Sequence, residues 1–246
     1  RASFTWPVPT GLRAGGYTLK SAALPGEVTL VDNEASFFVS LATRQVRVLY
    51  MEGSQSRHPY DGGMAHACEF LPTAFAESGD IECDLFTLPY QDARGEPLQY
   101  CRGVDASHEP VRDPARTLPQ RAEDWAAYDV VIVSDIDKET FTPEQMEWVR
   151  DLTLQRGAGF CMIGGNLSFD TGRYDQTVWE KLIPVDCTAF GFGHGWRPIR
   201  PIFPASVRSH PILRLDDDAA VRDAMLDCHP LCKGYHDVRR LKPGAV

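Results

Sequence analysis

No apolar run in the 246 residues approaches the ~20 that a membrane-spanning helix needs, so direct membrane insertion is not expected of this segment. Basic residues are outnumbered, 25 Lys and Arg against 34 Asp and Glu, for a net charge of −9. Phosphate binding needs a basic face, so nucleic acid is excluded as the main partner. A solvated acidic surface accounts for the rest of that imbalance. The seven cysteines, Cys68, Cys83, Cys101, Cys161, Cys187, Cys228 and Cys232, are odd in number and irregular in spacing. That excludes a regular disulfide framework and leaves mostly reduced, buried thiols as the expectation. Cys228, His229, Cys232 and His236 cluster without a known zinc spacing, and His194 with His210 is weaker still. No metal and no cofactor is expected. The chain opens at Arg1 without a methionine or a signal-like segment, and 242–246 reads as the approach to another strand. A piece of a longer protein is expected, soluble in itself, with the cytoplasm the favoured compartment.

What is present is enough apolar material for a core, 43% of residues. Its organising stretch is 128–169. Val130 to Val133 is an unbroken β-branched run, suited to a strand buried on both faces of a parallel sheet. Thr142-Pro143-Glu144-Gln145 carries a cap, a first-turn proline and a reciprocal capping partner. Met146, Val149 and Leu152 give the following helix one apolar stripe. Gly157 and Gly159 end it, 160–163 is the next buried strand, and Gly164-Gly165-Asn166 turns sharply. This is a strand–helix–strand unit, for which a right-handed crossover is the rule.

Residues 1–43 differ. Strands are predicted at 17–19, 27–31 and 35–41, separated by turns at Pro25-Gly26 and Asp32-Asn33. They make a small antiparallel β segment, the end of a sandwich or an arm. The α/β part begins at 44–51, with Glu52-Gly53-Ser54 at the strand's carboxyl end. A helix is predicted over 64–78 from Met64, Cys68, Leu71 and Phe75, kinked or restarted at Pro72. A strand follows at 81–88. Residues 89–119 hold five prolines and no periodicity, so they read as a long loop, either one that covers a surface or binds a partner, or a flexible insertion. A short helix is predicted at 122–127. Thr177 caps another at 178–182, and two short strands are expected within 186–209. A turn at 210–213 and a helix at 219–226, preceded by the dipole-matched Asp216-Asp217-Asp218, complete the pattern.

The order of motifs resembles a known family. Arg47-Val48-Leu49-Tyr50 with Glu52-Gly53, then Tyr128 through Ile136, then Gly164-Gly165 with Ser168-Phe169, and Leu182-Ile183-Pro184-Val185 are similar to the glutamine amidotransferase-like family. The resemblance runs over 44–246 and is most specific over 128–185. It implies a three-layer α/β domain with a flavodoxin-like parallel sheet, related to class I glutamine amidotransferases. Residues 1–43 resemble, more loosely, the end of the β-sandwich that precedes such domains in large membrane-anchored bacterial proteins with von Willebrand-type modules.

The resemblance implies a reaction, and its chemistry sets requirements. A nucleophilic cysteine must stand at a tight turn after a central strand, with backbone N–H groups aimed at the oxyanion. A histidine must activate it, and a carboxylate must orient the histidine. In this sequence the turn is Ile163-Gly164-Gly165-Asn166-Leu167, and glycine stands in the nucleophile's place. Cys161 lies earlier, within the strand, where a buried thiol is inert; it is the weak candidate for a nucleophile. No His-x-Glu pair occurs near the end, and His210 is followed by Pro211-Ile212. Ser168 lacks the flanking glycines of a nucleophile elbow and reads as a hydroxyl bonding its own loop. The glycine turn has no Lys-Ser/Thr after it and is no P-loop, though its backbone N–H groups suit an anion.

Ligands of open α/β sheets bind beyond the carboxyl ends of the strands. The candidate binding residues are therefore Glu52, Gly53, Asp135, Gly164, Gly165, Asn166 and Ser168. Asp135 has a competing reading as a cap of the following loop. The expected function is a non-catalytic amidotransferase-like module that binds a small ligand or a protein partner there, with homo-oligomerisation open. The alternatives are a divergent amidotransferase or hydrolase with an unidentified nucleophile, and a purely structural spacer.

Overall fold

The computed structural model describes residues 15–22, 25–26, 33–39, 45–53, 55–57, 64–66, 69–89, 93–106, 110–186, 192–193, 199–232, 235–236, 238 and 240–245. The chain divides into two compact units, 1–45 and 46–246.

In the first unit, β1 (Gly15–Lys20) and β2 (Glu34–Val39) pair antiparallel, with Gly15 opposite Val39 and Lys20 opposite Glu34. Cross-strand side chains reinforce the register: Thr18 and Ser36 share a 3.0 Å hydrogen bond, and Lys20 Nζ lies 2.6 Å from Glu34 Oε1. The strand predicted at 27–31 lies outside the described residues.

The second unit begins with β3 (Val46–Glu52), the strand that the pattern of Val46, Val48 and Leu49 announced. After it come two short strands, β4 (Gln55–Arg57) and β5 (Met64–His66), which pair antiparallel. The helix predicted from 64 starts only at Phe70: α1 spans Phe70–Ser78. Pro72 therefore sits in the first turn, where a missing N–H removes no intrahelical bond, and the expected kink does not arise. Gly79 closes the helix in the left-handed conformation. β6 (Ile81–Thr87) follows.

Residues 89–119 are not one long loop. β7 (Gln99–Val104) and β8 (Pro110–Thr117) form an antiparallel hairpin that extends the sheet beyond β6. The prolines hid it. Pro110 is the first residue of a strand that ends the sheet among the described residues and Pro114 lies within it, the places where a sheet tolerates proline. Register shifts between Gln99 and Tyr100 and between Cys101 and Val104 further erased the period-two signal.

Next in order are α2 (Ala122–Trp125), β9 (Val130–Ser134), α3 (Pro143–Arg156) and β10 (Gly159–Ile163). The Thr142–Gln145 capping box forms in both directions, with Pro143 at the first helical position and Gly157 left-handed at the end. A 3-10 helix at Val178–Lys181 is capped by Thr177 as expected. The remaining strands are two-residue pairs: β11 (Val185–Asp186) with β14 (Arg240–Leu241), and β12 (Phe192–Gly193) with β13 (Tyr235–His236). α4 (Ala219–Asp227) lies between, capped by Asp218, whose carboxylate accepts the N–H groups of Ala220 and Val221.

The central sheet runs β10-β9-β3-β6-β7-β8; the first four strands are parallel and the last two antiparallel. In chain order, the parallel strands occupy the places of a flavodoxin-like sheet, with the order reversing between β3 and β9. Alternation along each strand builds two cores. Leu49, Met51, Phe86, Val131 and Val133 face one side, covered by Met146, Val149 and Leu152 of α3 and by Trp125 and Trp179. Val48, Tyr50, Leu85 and Ile132 face the other, where Leu71 and Phe75 of α1 pack. The result is three layers. Both buried indoles find acceptors: Trp125 Nε1 donates to Pro119 O at 3.0 Å and Trp179 Nε1 to Met146 O at 2.9 Å.

One expectation fails in detail. The 160–163 stretch reads as a buried strand, yet β10 ends the sheet among the described residues, with Gly159 and Cys161 exposed. Phe160 and Met162 join the first core, and Ile163 packs on the second. An apolar run reports the face it packs on, not whether a further strand lies beside it.

Candidate functional site

β3 and β9 are neighbours and β10 is next, so the strand ends at Glu52, Ser134 and Ile163 emerge side by side. There the backbone is packed unusually tightly. Gly53 N–H donates to Ser134 O at 2.8 Å. A Cβ on Gly53 would stand 2.0 Å from Asp135 O, and one on Gly165 would stand 2.4 Å from Asp135 Cγ. Two strand ends therefore close on Asp135 only because both carry glycine. Asp135 itself takes a left-handed backbone, φ 51°, a conformation that Asp tolerates better than most residues. Its N–H donates to Ser168 Oγ at 3.2 Å, and its Oδ1 accepts Leu167 N–H at 2.6 Å. Of the two readings of Asp135, this bond is the one that caps a turn, the turn after β10.

Ser168 completes the rivet. Its hydroxyl donates to Ile163 O at 2.7 Å while accepting from Asp135 N–H. It is 1% exposed. A hydroxyl so engaged, donor and acceptor both spent on the loop, is a structural group.

The strand ends border a cleft of about 270 Å³, lined by Tyr50, Glu52, Leu71, Ser134, Asp135, Ile163, Gly164 and Gly165. Of the candidates, Glu52, Asp135, Gly164 and Gly165 are brought together in its wall. Gly53 and Ser168 shape the strand ends from outside that lining, and Asn166 is an exposed residue of the turn. Tyr50 was missed, though it is two residues from Glu52 on the same strand and so on the same face. Its hydroxyl donates to Glu52 Oε2, and Glu52 is only 2% exposed.

Cys161 needs correction. The thiol expected to be buried is exposed. It is absent from the cleft lining, and partial desolvation alone pushes its pKa up, away from the thiolate. Cys83 and Cys101 are also raised, Cys83 to about 12, with burial the largest cause in each. Cys68 and Cys187 lie outside the described residues.

The residue that sequence reasoning missed most is His236. It reaches the turn from β13, 71 residues away, and its Nε2 lies 2.8 Å from Gly165 O. Its ring meets Phe169 edge-on at 4.8 Å between centroids, and its Nδ1 lies 3.8 Å from Asp170 Oδ1. Both partners of that pair are almost wholly buried, at 7% and 6%. A Cβ on Gly164 would stand 3.3 Å from His236 Cδ2. The imidazole is thus beside the place a nucleophile would occupy, with a carboxylate behind it. A carbonyl oxygen only accepts, so Nε2 must carry its proton and donate it to Gly165. The nitrogen nearest residue 164 is then spent as a donor, not poised as a base. No local spacing signals this contact. In sequence His236 belonged to the Cys228–His229–Cys232 cluster; among the described residues no group of three His, Cys, Asp or Glu side chains is arranged to hold a metal.

Residues 98–191 match the family model described as "Putative glutamine amidotransferase". That segment includes the hairpin, β9, α3, β10 and the glycine turn, and over it the likeness to the amidotransferase-like family is shown. Among solved structures, a cytoplasmic protein from Salmonella typhimurium is similar at 16% identity and a TM-score of 0.48, over 78% of this chain and 74% of that one. No curated protein matches the chain. Among the described residues no helix is long and apolar enough to cross a membrane.

Proposed function

We propose that the 46–246 unit is an amidotransferase-like domain that binds a small ligand without hydrolysing glutamine. The observation that carries this reading is Gly164. At the turn where the chemistry requires sulfur there is only hydrogen, and an imidazole edge lies where that residue's side chain would point. Neither Cys161 nor Ser168 substitutes for it: one is outside the cleft lining and the other has both hydrogen-bonding capacities engaged. Binding is supported by the cleft itself. It opens where the strand order reverses, the position at which this sheet topology takes ligands. Its wall combines two carboxylates, a serine, a tyrosine and glycine backbone, a mix suited to a small polar molecule.

The His236–Asp170 pair is the one feature that favours the alternative, a divergent amidotransferase. Its geometry speaks for a positioning role instead, because Nε2 holds the Gly165 carbonyl. Labelling with a thiol-reactive probe, with and without L-glutamine, followed by peptide mapping tests the choice. The expected pattern is the same set of labelled cysteines in both samples. Protection of any cysteine by glutamine would overturn the non-catalytic reading.

A further inference from the structure

Across the sheet from the strand-end cleft lies a second cavity, of about 500 Å³. That is within the size range of small-molecule sites. Phe86, Leu118 and Tyr128 floor it and belong to the first core, whereas Tyr50 and Leu71 of the cleft belong to the second. Arg47 of β3, Arg116 of β8 and Arg121, next to α2, bring three guanidinium groups to its wall. Two of them are held by aromatic rings. Arg47 Cζ lies 5.1 Å from the centroid of Tyr128, and Arg116 Cζ 4.1 Å from that of Tyr100. Both face the buried Asp84, but unequally. Its Oδ2 accepts from Arg116 and, at 2.7 Å, from the Tyr128 hydroxyl. Arg47 Nη2 stops 3.6 Å from that oxygen, and Arg47 Nε lies 3.5 Å from Glu82 Oε2, both beyond ordinary hydrogen-bond length. The Arg47 side chain is only 29% exposed. Its N–H donors are thus partly withdrawn from water, and among the described residues neither carboxylate accepts a hydrogen bond from them.

We propose that this cavity binds a small ionised carboxylic acid with an aryl or alkyl body. A guanidinium is planar and meets a carboxylate with two parallel N–H donors, and the Tyr128 ring stacked against Arg47 keeps that fork in place. Phe86, Leu118 and Tyr128 offer the body an apolar floor. The surrounding acids set the charge of the ligand. Asp84 and Glu82 lie against the guanidinium groups. Glu123 and Asp124 are exposed at the rim, where Glu123 pairs with Arg121 at 3.2 Å. A second negative charge on the ligand would be repelled from both sides, so the cavity takes a monoanion in preference to a phosphate. It shares no lining residue with the strand-end cleft, so each can be tested apart.

Titration of the isotope-labelled 246-residue chain with benzoate at low salt, followed by amide NMR, tests this. Benzoate is expected to shift the signals of Arg47, Thr117 and Arg121 saturably, while neutral benzamide and inorganic phosphate leave them in place. Arg47→Gln is expected to weaken benzoate binding roughly tenfold, the loss of one charge-assisted hydrogen bond. Thr117→Trp fills the cavity from an exposed position and leaves Arg47 and Asp84 untouched. It is expected to abolish binding with an unchanged melting temperature. Benzoate that shifts nothing, or shifts only Gly164 and Gly165, would overturn the proposal. So would equal binding of benzamide or phosphate, or benzoate binding that survives both variants.

Discussion

Gly53, Gly164 and Gly165 follow β3 and β10, the strands on either side of β9, within one small region, and alanine at each meets something different. At Gly53 the new Cβ collides with a backbone carbonyl, 2.0 Å away, which cannot move without shifting β9. At Gly165 it meets the Asp135 side chain at 2.4 Å, and at Gly164 the imidazole edge at 3.3 Å, where a small ring shift suffices. Overpacking of this kind costs ~1–3 kcal/mol. Urea midpoints are expected to fall in the order Gly53→Ala most, Gly165→Ala next, Gly164→Ala least. A large loss at Gly164 alone would show that the described approach of His236 is wrong. The cysteines give a second test at this scale. Exposed Cys161 and Cys228 are expected to react with a disulfide reagent before Cys83 and Cys101 in the folded protein. Burial holds the Cys83 thiol neutral up to about 12 against a usual value of 9.0, with Asp84 adding to the shift. The unfolded chain therefore loses that proton first, so folding stability declines as pH rises through the window from 9 to about 12, and this thiol contributes no slope below it. Alkaline urea midpoints should fall less steeply in Cys83→Ala than in the wild type.

The elements show why some of the fold was legible and some was not. α3 carries its own punctuation: Thr142, Pro143, Gln145 and Gly157 are local signals, and all four act as read. Thr142→Ala should cost ~1 kcal/mol in urea unfolding: the Gln145 backbone N–H loses its hydroxyl acceptor, while the Gln145 side chain keeps the backbone N–H of residue 142. The β7–β8 hairpin is held by long-range groups that leave no periodic trace. Asp84 on β6 is 6% exposed and receives Arg116 of β8, and the Tyr128 hydroxyl donates to it at 2.7 Å. Arg116 stacks over the Tyr100 ring, 4.1 Å from its centroid, tying β8 to β7. Removing one partner of such a group leaves the others desolvated without compensation. Asp84→Ala is expected to cost ~2 kcal/mol, reduced from a fully buried case because Arg116 is 41% exposed. Hydrogen exchange would then be expected to speed up in 99–117 before it does in β3 or β9. The start of α1 was misjudged for a related reason. Met64 and Cys68 continue the spacing of Leu71 and Phe75 on paper, but Met64 belongs to β5.

At the scale of the whole unit, the parallel sheet and its strand-end cleft followed from buried apolar runs and glycine turns. The composition of the site followed only in part. Glu52, Asp135, Gly164 and Gly165 could be placed because each directly follows or ends a readable strand. His236 and Asp170 could not, since only the folded chain brings residue 236 to residue 165. That late arrival also decides how the glycine turn is read: the imidazole is present, and its Nε2 is given to a carbonyl. The central claim is that a domain with this turn does not release ammonia from glutamine. The direct measurement is enzyme-coupled detection of ammonia from the purified chain with L-glutamine in excess. The account predicts no release above buffer, for the wild type and for Cys161→Ala and His236→Ala alike. Release by the wild type that disappears in either variant would contradict it.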